Sequence, residues 1–339
     1  MISVLKKQGI VLLLLLLNGS FQVQGQFTKG DLVRSTSQAA AFLKQAQTES
    51  GSIKDSTNVL FSIWETILVT DALLDQFPAT DSTILRAATW LQSLETEQGL
   101  VCHNVKCSRN YCIETSALYI RLLARLKSTG NLEERVKTIE QLQEKNGSWK
   151  VGNPDVLDKT DFPSVTGFVL NLYADLNYQS AKTWDAYLFL ISSQLENGSW
   201  GKTWEYYNCP GYALWQCLPA IKKCPSGAIT FEKAKAFILS SQLENGSWYV
   251  AENEQTNHVS AELQTAFMLS CLQEEKDETS KKAFYKGISF LLSKQLPSGA
   301  WEGGFFPIPN ERYKKREYLI ATALTYKLLI ATLNNFNDE

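Results

Sequence analysis

The nine residues SSQLENGSW occur twice, at 192–200 and again at 240–248. Weaker copies stand at EQLQEKNGSW (140–149) and LSKQLPSGAW (292–301), and degraded ones at WLQSLETEQGL (90–100) and FLKQAQTESGSI (42–53). Their glycines, Gly51, Gly99, Gly147, Gly198, Gly246 and Gly299, are spaced by 48, 48, 51, 48 and 53 residues. A fixed period of a few tens of residues marks a repeat architecture. Each unit starts with an apolar helical stretch, such as WDAYLFLISSQL at 184–195 or KAKAFILSSQL at 233–243. Asn-Gly then ends that helix cheaply, because both residues tolerate positive φ. A polar loop follows, and a second helix closes the unit.

The second helices are CIETSALYIRLLARL (112–126), SVTGFVLNLYADL (164–176), AELQTAFMLSCL (261–272) and YLIATALTYKLLIATL (318–333). They are apolar on nearly every side, as buried helices are. The first helices carry more charge. Two helices per unit, one wet and one dry, repeated six times, predict two concentric rings closed into a barrel. An open superhelix would need polar capping units at its ends, and neither end unit has that character.

The chain has 339 residues, 44% of them apolar, and a formal net charge of -2. It shows no basic stripe, which argues against a nucleic-acid partner. The N-terminus, MISVLKKQGIVLLLLLLNGSFQVQGQF, combines two lysines, a short apolar run and a small-residue exit. It reads as a signal peptide over 1–25, ahead of one domain at 26–339, with no transmembrane segment. The expected location is secreted or periplasmic. In such a compartment the seven cysteines can form bridges. Cys102, Cys107 and Cys112 share one loop, and Cys209 and Cys224 flank one helix. Cys217 and Cys271 lie on apolar helices as core residues. Seven is odd, so at least one stays unpaired. Asn146, Asn197 and Asn245 open Asn-Gly-Ser sequons, but their first reading is as turn residues.

FILSSQLENGSW (237–248), FLISSQLENGSW (189–200) and FLLSKQLPSGAW (290–301) resemble the QW repeat of the terpenoid cyclases. The resemblance spans about 40–335. It implies an all-α fold, the (α/α)6 toroid of six helical-hairpin repeats shared by class II terpene cyclases, prenyltransferase-like subunits and complement-like thioester domains. In that family the motif is scaffold.

The signatures of each branch are incomplete. Class II cyclases protonate an alkene with the middle acid of Asp-x-Asp-Asp-Thr. In YCIETSALYIRLL, Thr115 matches the threonine and Glu114 the last acid, while Ile113 holds the middle place and Tyr111 the first. SIWET offers Glu65 and Thr66 as the same column, and DKTDFPSVTGF places Asp158 and Asp161 before a second helix. Prenyltransferases bind zinc through Asp-x-Cys-Tyr and a later histidine. Cys209 fits the cysteine, but Tyr207 stands for the aspartate, Gln264 holds the histidine column, and His258 lies six residues earlier. The spacing of Cys102, His103 and Cys107 is a weak metal signal, and Gly-Cys-Gly-Glu-Gln is absent. No metal and no cofactor are expected.

Glu65, Glu114, Asp161, Tyr207, His258, Glu262 and Glu317 all fall at or just before second-helix starts. Acids there also stabilise helix N-termini, by about 0.3–1 kcal/mol each. The candidate catalytic acids are Glu114, Asp161, Glu65 and Glu262. The candidate ligand-binding residues are Trp64, Trp204, Tyr207, Tyr212, Trp215, His258 and Phe267; Phe168 and Tyr326 lie on the same helices. The first expectation is an exported toroid whose cavity takes an apolar or isoprenoid-like ligand, with cyclase or lyase chemistry from acids at the mouth. Two rivals stand beside it, a non-catalytic toroid binding a small molecule or a protein, and a polysaccharide lyase or hydrolase with a carbohydrate ligand. Whether the chain is an enzyme stays open at this level.

Overall fold

The computed structural model describes residues 27–55, 61–107, 110–128, 130–152, 161–201, 209–248, 259–306 and 316–336. The proposed signal peptide, Asp158, Trp204, Tyr207 and His258 lie outside the described residues. Among the described residues twelve α-helices run in chain order: α1 (Lys29–Gln45), α2 (Ser62–Leu73), α3 (Ser82–Gln92), α4 (Ile113–Arg125), α5 (Leu132–Gln141), α6 (Pro163–Asp175), α7 (Thr183–Ser192), α8 (Pro210–Lys222), α9 (Ala228–Ser240), α10 (Ala261–Leu272), α11 (Glu278–Lys294) and α12 (Leu319–Asn334). Among the described residues there is no β-strand, only isolated bridges such as Gln194–Trp200 and Gln242–Trp248 across the repeated turns.

The even-numbered helices form the inner ring. They pack in the cyclic order α2, α4, α6, α8, α10, α12 and back to α2. Most residues of these six helices are buried, as their largely apolar sequences require. The odd-numbered helices bury one face and wet the other.

The helix pairing differs from the expected hairpin register. Each outer helix packs chiefly on the inner helix that precedes it in the chain, so α3 lies on α2 and α9 on α8. The physical reason is loop length. Inner-to-outer connections are short and place antiparallel helices side by side, whereas outer-to-inner connections carry the repeated turn and a long loop. Among the described residues no inner helix precedes α1, which packs on α12 and closes the ring.

The repeated motif is a cross-unit clamp. Gln194 donates its side-chain amide to the Gly198 carbonyl at 2.9 Å and to Thr230 of the next outer helix at 2.8 Å. Gln242 does the same to Gly246 and Ala283, and Gln47 to Gly51 and Thr83. The indoles of Trp149, Trp200, Trp248 and Trp301 are fully buried, and each donates to a carbonyl ten residues upstream at 2.6–2.8 Å. In the second unit Glu95 occupies the glutamine column. There Arg135 reaches across instead, donating to the Gly99 carbonyl at 2.5 Å and to Glu95 at 2.9 Å.

The turn glycine is required twice over. Gly147 has φ of +88°, and a Cβ there would collide with the Asp185 carbonyl of the next outer helix. The sequon asparagines are turn residues, as expected. Asn197 Oδ1 accepts from the Ser199 amide at 3.0 Å and hydroxyl at 2.8 Å, and Asn245 repeats this with Ser247.

Candidate functional site

The inner-helix N-termini gather three buried acids. Glu65 sits in the first turn of α2, Glu114 in the first turn of α4, and Glu317 just before α12. Glu65 is fully buried, and no side chain among the described residues hydrogen-bonds its carboxylate; the one group that bears on it as a donor is the Asp55 backbone amide. Burial pushes its carboxyl well above the ordinary range, and the charges of Glu317 and Asp55 push it further, against a weaker opposing pull from the Asp55 backbone. Ser62 Oγ and Trp64 Nε1, on the same turn, are also buried and unpaired among the described residues.

Glu317 is buried too, and it caps α12, accepting from the amides of Ile320 and, at 3.2 Å, Ala321. Burial raises its carboxyl to about 8 despite those amides. Gly303 makes room for it, since a Cβ at that position would overlap the Glu317 carboxylate. Glu114 is raised by burial to about 7, with the Tyr212 hydroxyl, which donates to it, pulling the other way.

Glu65 and Glu114 do not share one helical column. Thr66 bonds the Ile53 amide and carbonyl, both at 2.9 Å, as Ser116 bonds those of Val101 at 3.0 and 2.9 Å. Thr66 therefore matches Ser116, not Thr115. Glu65 and Glu114 stand one position, about 100°, apart around their helices.

Aromatic rings fill the axis beside these acids. Tyr212 lies 5.7 Å from Phe267, 5.8 Å from Phe306, 6.0 Å from Trp215, 6.2 Å from Phe168 and 6.3 Å from Trp64. Trp64, Tyr212, Trp215 and Phe267, singled out in the sequence, thus come together. Phe306 joins them from a loop, where no helical periodicity could announce it.

Asp161 and Glu262 lie apart from this cluster in their bonding. Asp161 Oδ2 accepts from Asn146 at 2.8 Å within the third turn, while its Oδ1 is buried and unpaired among the described residues. Glu262 is half-buried in the first turn of α10.

A cavity of about 570 Å³ lies at the opposite, C-terminal end of the inner helices. Its walls include Ile67, Leu118 and Leu324, and Trp215 connects it to the aromatic cluster. Charged side chains ring it: Asp71, Arg121, Arg125, Asp175, Lys222 and Lys327 among them. They are paired. Arg125 bridges Asp71 and Asp75, Lys327 binds Asp71 at 2.5 Å, and Arg121 binds Asp175 at 2.7 Å. Burial would raise Asp71, but Lys327 and Arg125 hold it down to about 2. The sequence signal for this rim was charge in the C-terminal halves of otherwise apolar helices, at Asp71, Arg121, Arg125, Asp175, Lys222 and Lys327.

Cys102 and Cys107 form a disulfide. Cys209 and Cys224, considered as a pair from the sequence, are both free, as are Cys112, Cys217 and Cys271. No described helix is long and apolar enough to cross a membrane.

Residues 150–310 match the family model of the squalene-hopene cyclase C-terminal domain. No curated protein sequence is significantly similar to the chain. Among solved structures, the type II terpene cyclase MstE from Scytonema, in complex with geranylgeranyl dihydroxybenzoate, superposes with a TM-score of 0.72 at 16% identity, over 91% of this chain and 99% of that one. A protein from Actinoplanes gives 0.67 at 12% identity over 90% and 100% of the two chains. The α-1,6-mannanase of Salegentibacter gives 0.61 at 13% identity over 88% and 98%. At these identities the likeness is one of fold.

Proposed function

We propose that this chain, an α/α toroid of the terpenoid-cyclase superfamily, holds an apolar, isoprenoid-like ligand along the barrel axis and delivers a proton to it. The reading rests chiefly on Glu65, a fully buried carboxyl that no side chain among the described residues hydrogen-bonds, with Glu317 as an acidic neighbour. Desolvation favours the neutral form of such an acid, and a proton donor must start from that form. The surrounding aromatic faces would stabilise a positive charge developing on the ligand.

The cavity supplies an entrance. A ligand with a polar or anionic head would leave that head among Arg121, Arg125, Lys222 and Lys327, and direct its chain past Leu118 and Trp215 towards Tyr212. To reach the acids it must part the aromatic rings. A long apolar chain on a carboxylated head, such as the ligand named for MstE, has this division of character.

The carbohydrate reading has less support. The rim acids nearest the cavity are ion-paired, and Asp71 is held ionised. A purely binding role is favoured by one observation, the packing of five rings around Tyr212 that closes the axis between cavity and acids.

Geranylgeranyl dihydroxybenzoate is the probe that tests this. Saturable binding, with turnover that Glu65→Gln abolishes while binding persists, is the expected result. Binding without turnover in the unsubstituted chain would leave only the ligand-holding role. Absence of binding would overturn both.

A further inference from the structure

We propose that the loop between α3 and α4 carries a redox-gated zinc site formed by Cys102, His103 and Cys107. The three donor atoms lie within 4.8 Å of one another. His103 Nδ1 sits 3.5 Å from Cys102 Sγ and 3.8 Å from Cys107 Sγ. Zinc bound tetrahedrally, at about 2.3 Å from sulfur and about 2.0 Å from nitrogen, sets its ligand atoms about 4 Å apart or less. The imidazole therefore lies within that span of both sulfurs in the oxidised chain, and the sulfurs must part on reduction to hold a metal between them. His103 is half-buried, and a water would supply the fourth ligand. Cys112 packs beside the two sulfurs but falls outside the three-atom set.

The loop is shaped independently of any metal. Asn104 Oδ1 accepts from the amides of Lys106 at 2.8 Å and Cys107 at 3.3 Å, and Asn104 itself is buried. That turn carries Cys107 back over Cys102. The loop is also anchored to the acid site. The His103 carbonyl accepts from the amides of Ile63 at 3.2 Å and Trp64 at 3.3 Å, the first turn of α2, and the Phe61 ring lies 5.5 Å from the imidazole.

The gate is the Cys102–Cys107 disulfide. With the sulfur–sulfur bond intact, neither sulfur is a thiolate, and thiolate is the form that binds metal. Reduction breaks that bond and adds two electrons and two protons, one proton to each sulfur. A dithiol reductant supplies them as it closes its own disulfide. Zinc then displaces both thiol protons and leaves two Zn–S bonds. Oxidised and metal-bound forms exclude one another, and each holds the same two cysteines together at the start of α2.

The experiment is a Co²⁺ titration of the full chain, oxidised and reduced, with circular dichroism on every sample. The expected result is one equivalent bound by the reduced chain only, with tetrahedral d–d absorption, two protons released per metal, and at least tenfold weaker binding in His103→Ala. If reduction melts the chain, zinc is expected to restore the helical signal with a stoichiometry of one. Equal binding by a Cys102→Ser/Cys107→Ser chain, binding by the oxidised chain, or no binding and no recovery after reduction would each overturn the assignment.

Discussion

The Gln295 side-chain amide donates to the Ser35 carbonyl at 2.9 Å, joining residues 260 positions apart in the chain. Its Oε1 accepts from the Ser35 hydroxyl at 2.8 Å, and the same amide reaches Gly299 at 2.9 Å. The clamp that joins neighbouring units elsewhere thus joins the last unit to the first, and this pair is the seam of the toroid. Gln295→Ala is expected to lower the unfolding free energy by about 1–3 kcal/mol, as for a buried carbonyl losing its partner. Chemical denaturation checks this, with Gln242→Ala as the within-ring comparison. A seam variant no less stable than the parent would show that α1 closes the ring by apolar packing alone.

Gly147→Ala places a side chain at a φ of +88° and against the Asp185 carbonyl. The two penalties together are expected to cost roughly 2–4 kcal/mol. Gly30→Ala, in the first turn of α1 with only Thr28 Oγ1 nearby at 3.6 Å, should change stability by well under 1 kcal/mol. Thermal melts of the two variants separate a turn that requires glycine from a helix that does not.

Stability should fall as the pH rises from about 5 to 8. Burial raises Glu114 to about 7 and Glu317 to about 8, so the folded chain holds protons that the unfolded chain has already released. Their stabilisation is complete below the ordinary carboxylate value near 4.5 and is lost as pH passes through the raised values. The loss is expected to be roughly 1–3 kcal/mol per group. Glu317→Gln keeps an acceptor for the α12 amides and removes the charge, so its stability profile over this window should be flatter. An unchanged slope would contradict a protonated Glu317.

Tyr212→Phe removes the hydroxyl that donates to Glu114. That bond lowers the Glu114 carboxyl, while burial raises it. The variant should therefore titrate Glu114 at higher pH than the parent, read by carboxyl-labelled NMR. A shift to lower pH would mean that water has replaced the phenol.

Trp215→Ala should open the cavity towards Tyr212 and Phe267, whose rings lie 6.0 and 5.3 Å from Trp215. Binding of a long-chain polyprenyl ligand is expected to tighten relative to a short one, while stability falls by about 1–3 kcal/mol, less than for a fully buried tryptophan. Calorimetry with two chain lengths checks it. Equal losses for both would argue that the ligand does not pass this ring.

The architecture was legible in the sequence because its cause is local. A glycine turn every forty-eight or so residues, a tryptophan after it, and alternation between half-polar and all-apolar helices are properties of short stretches. Asn197 and Asn245 could be read as turn residues from their neighbours alone. What the period could not give is rotation about each inner helix. Glu65 and Glu114 fall next to a similar threonine, yet they point about 100° apart, because the hydroxyls that anchor the turns belong to Thr66 and Ser116.

The site itself was decided by packing between distant residues. Tyr212 meets Glu114 across 98 positions, Phe306 enters the axis from a loop, and Glu65 is influenced by Glu317 from the far end of the chain. Burial, ring contact and like-charge repulsion depend on which helix follows which around the ring. A sequence determines the helices, their turns and their closure into a barrel. Only the tertiary structure placed the cavity at the C-terminal mouth, filled the axis with aromatic rings, and buried an acid beside them.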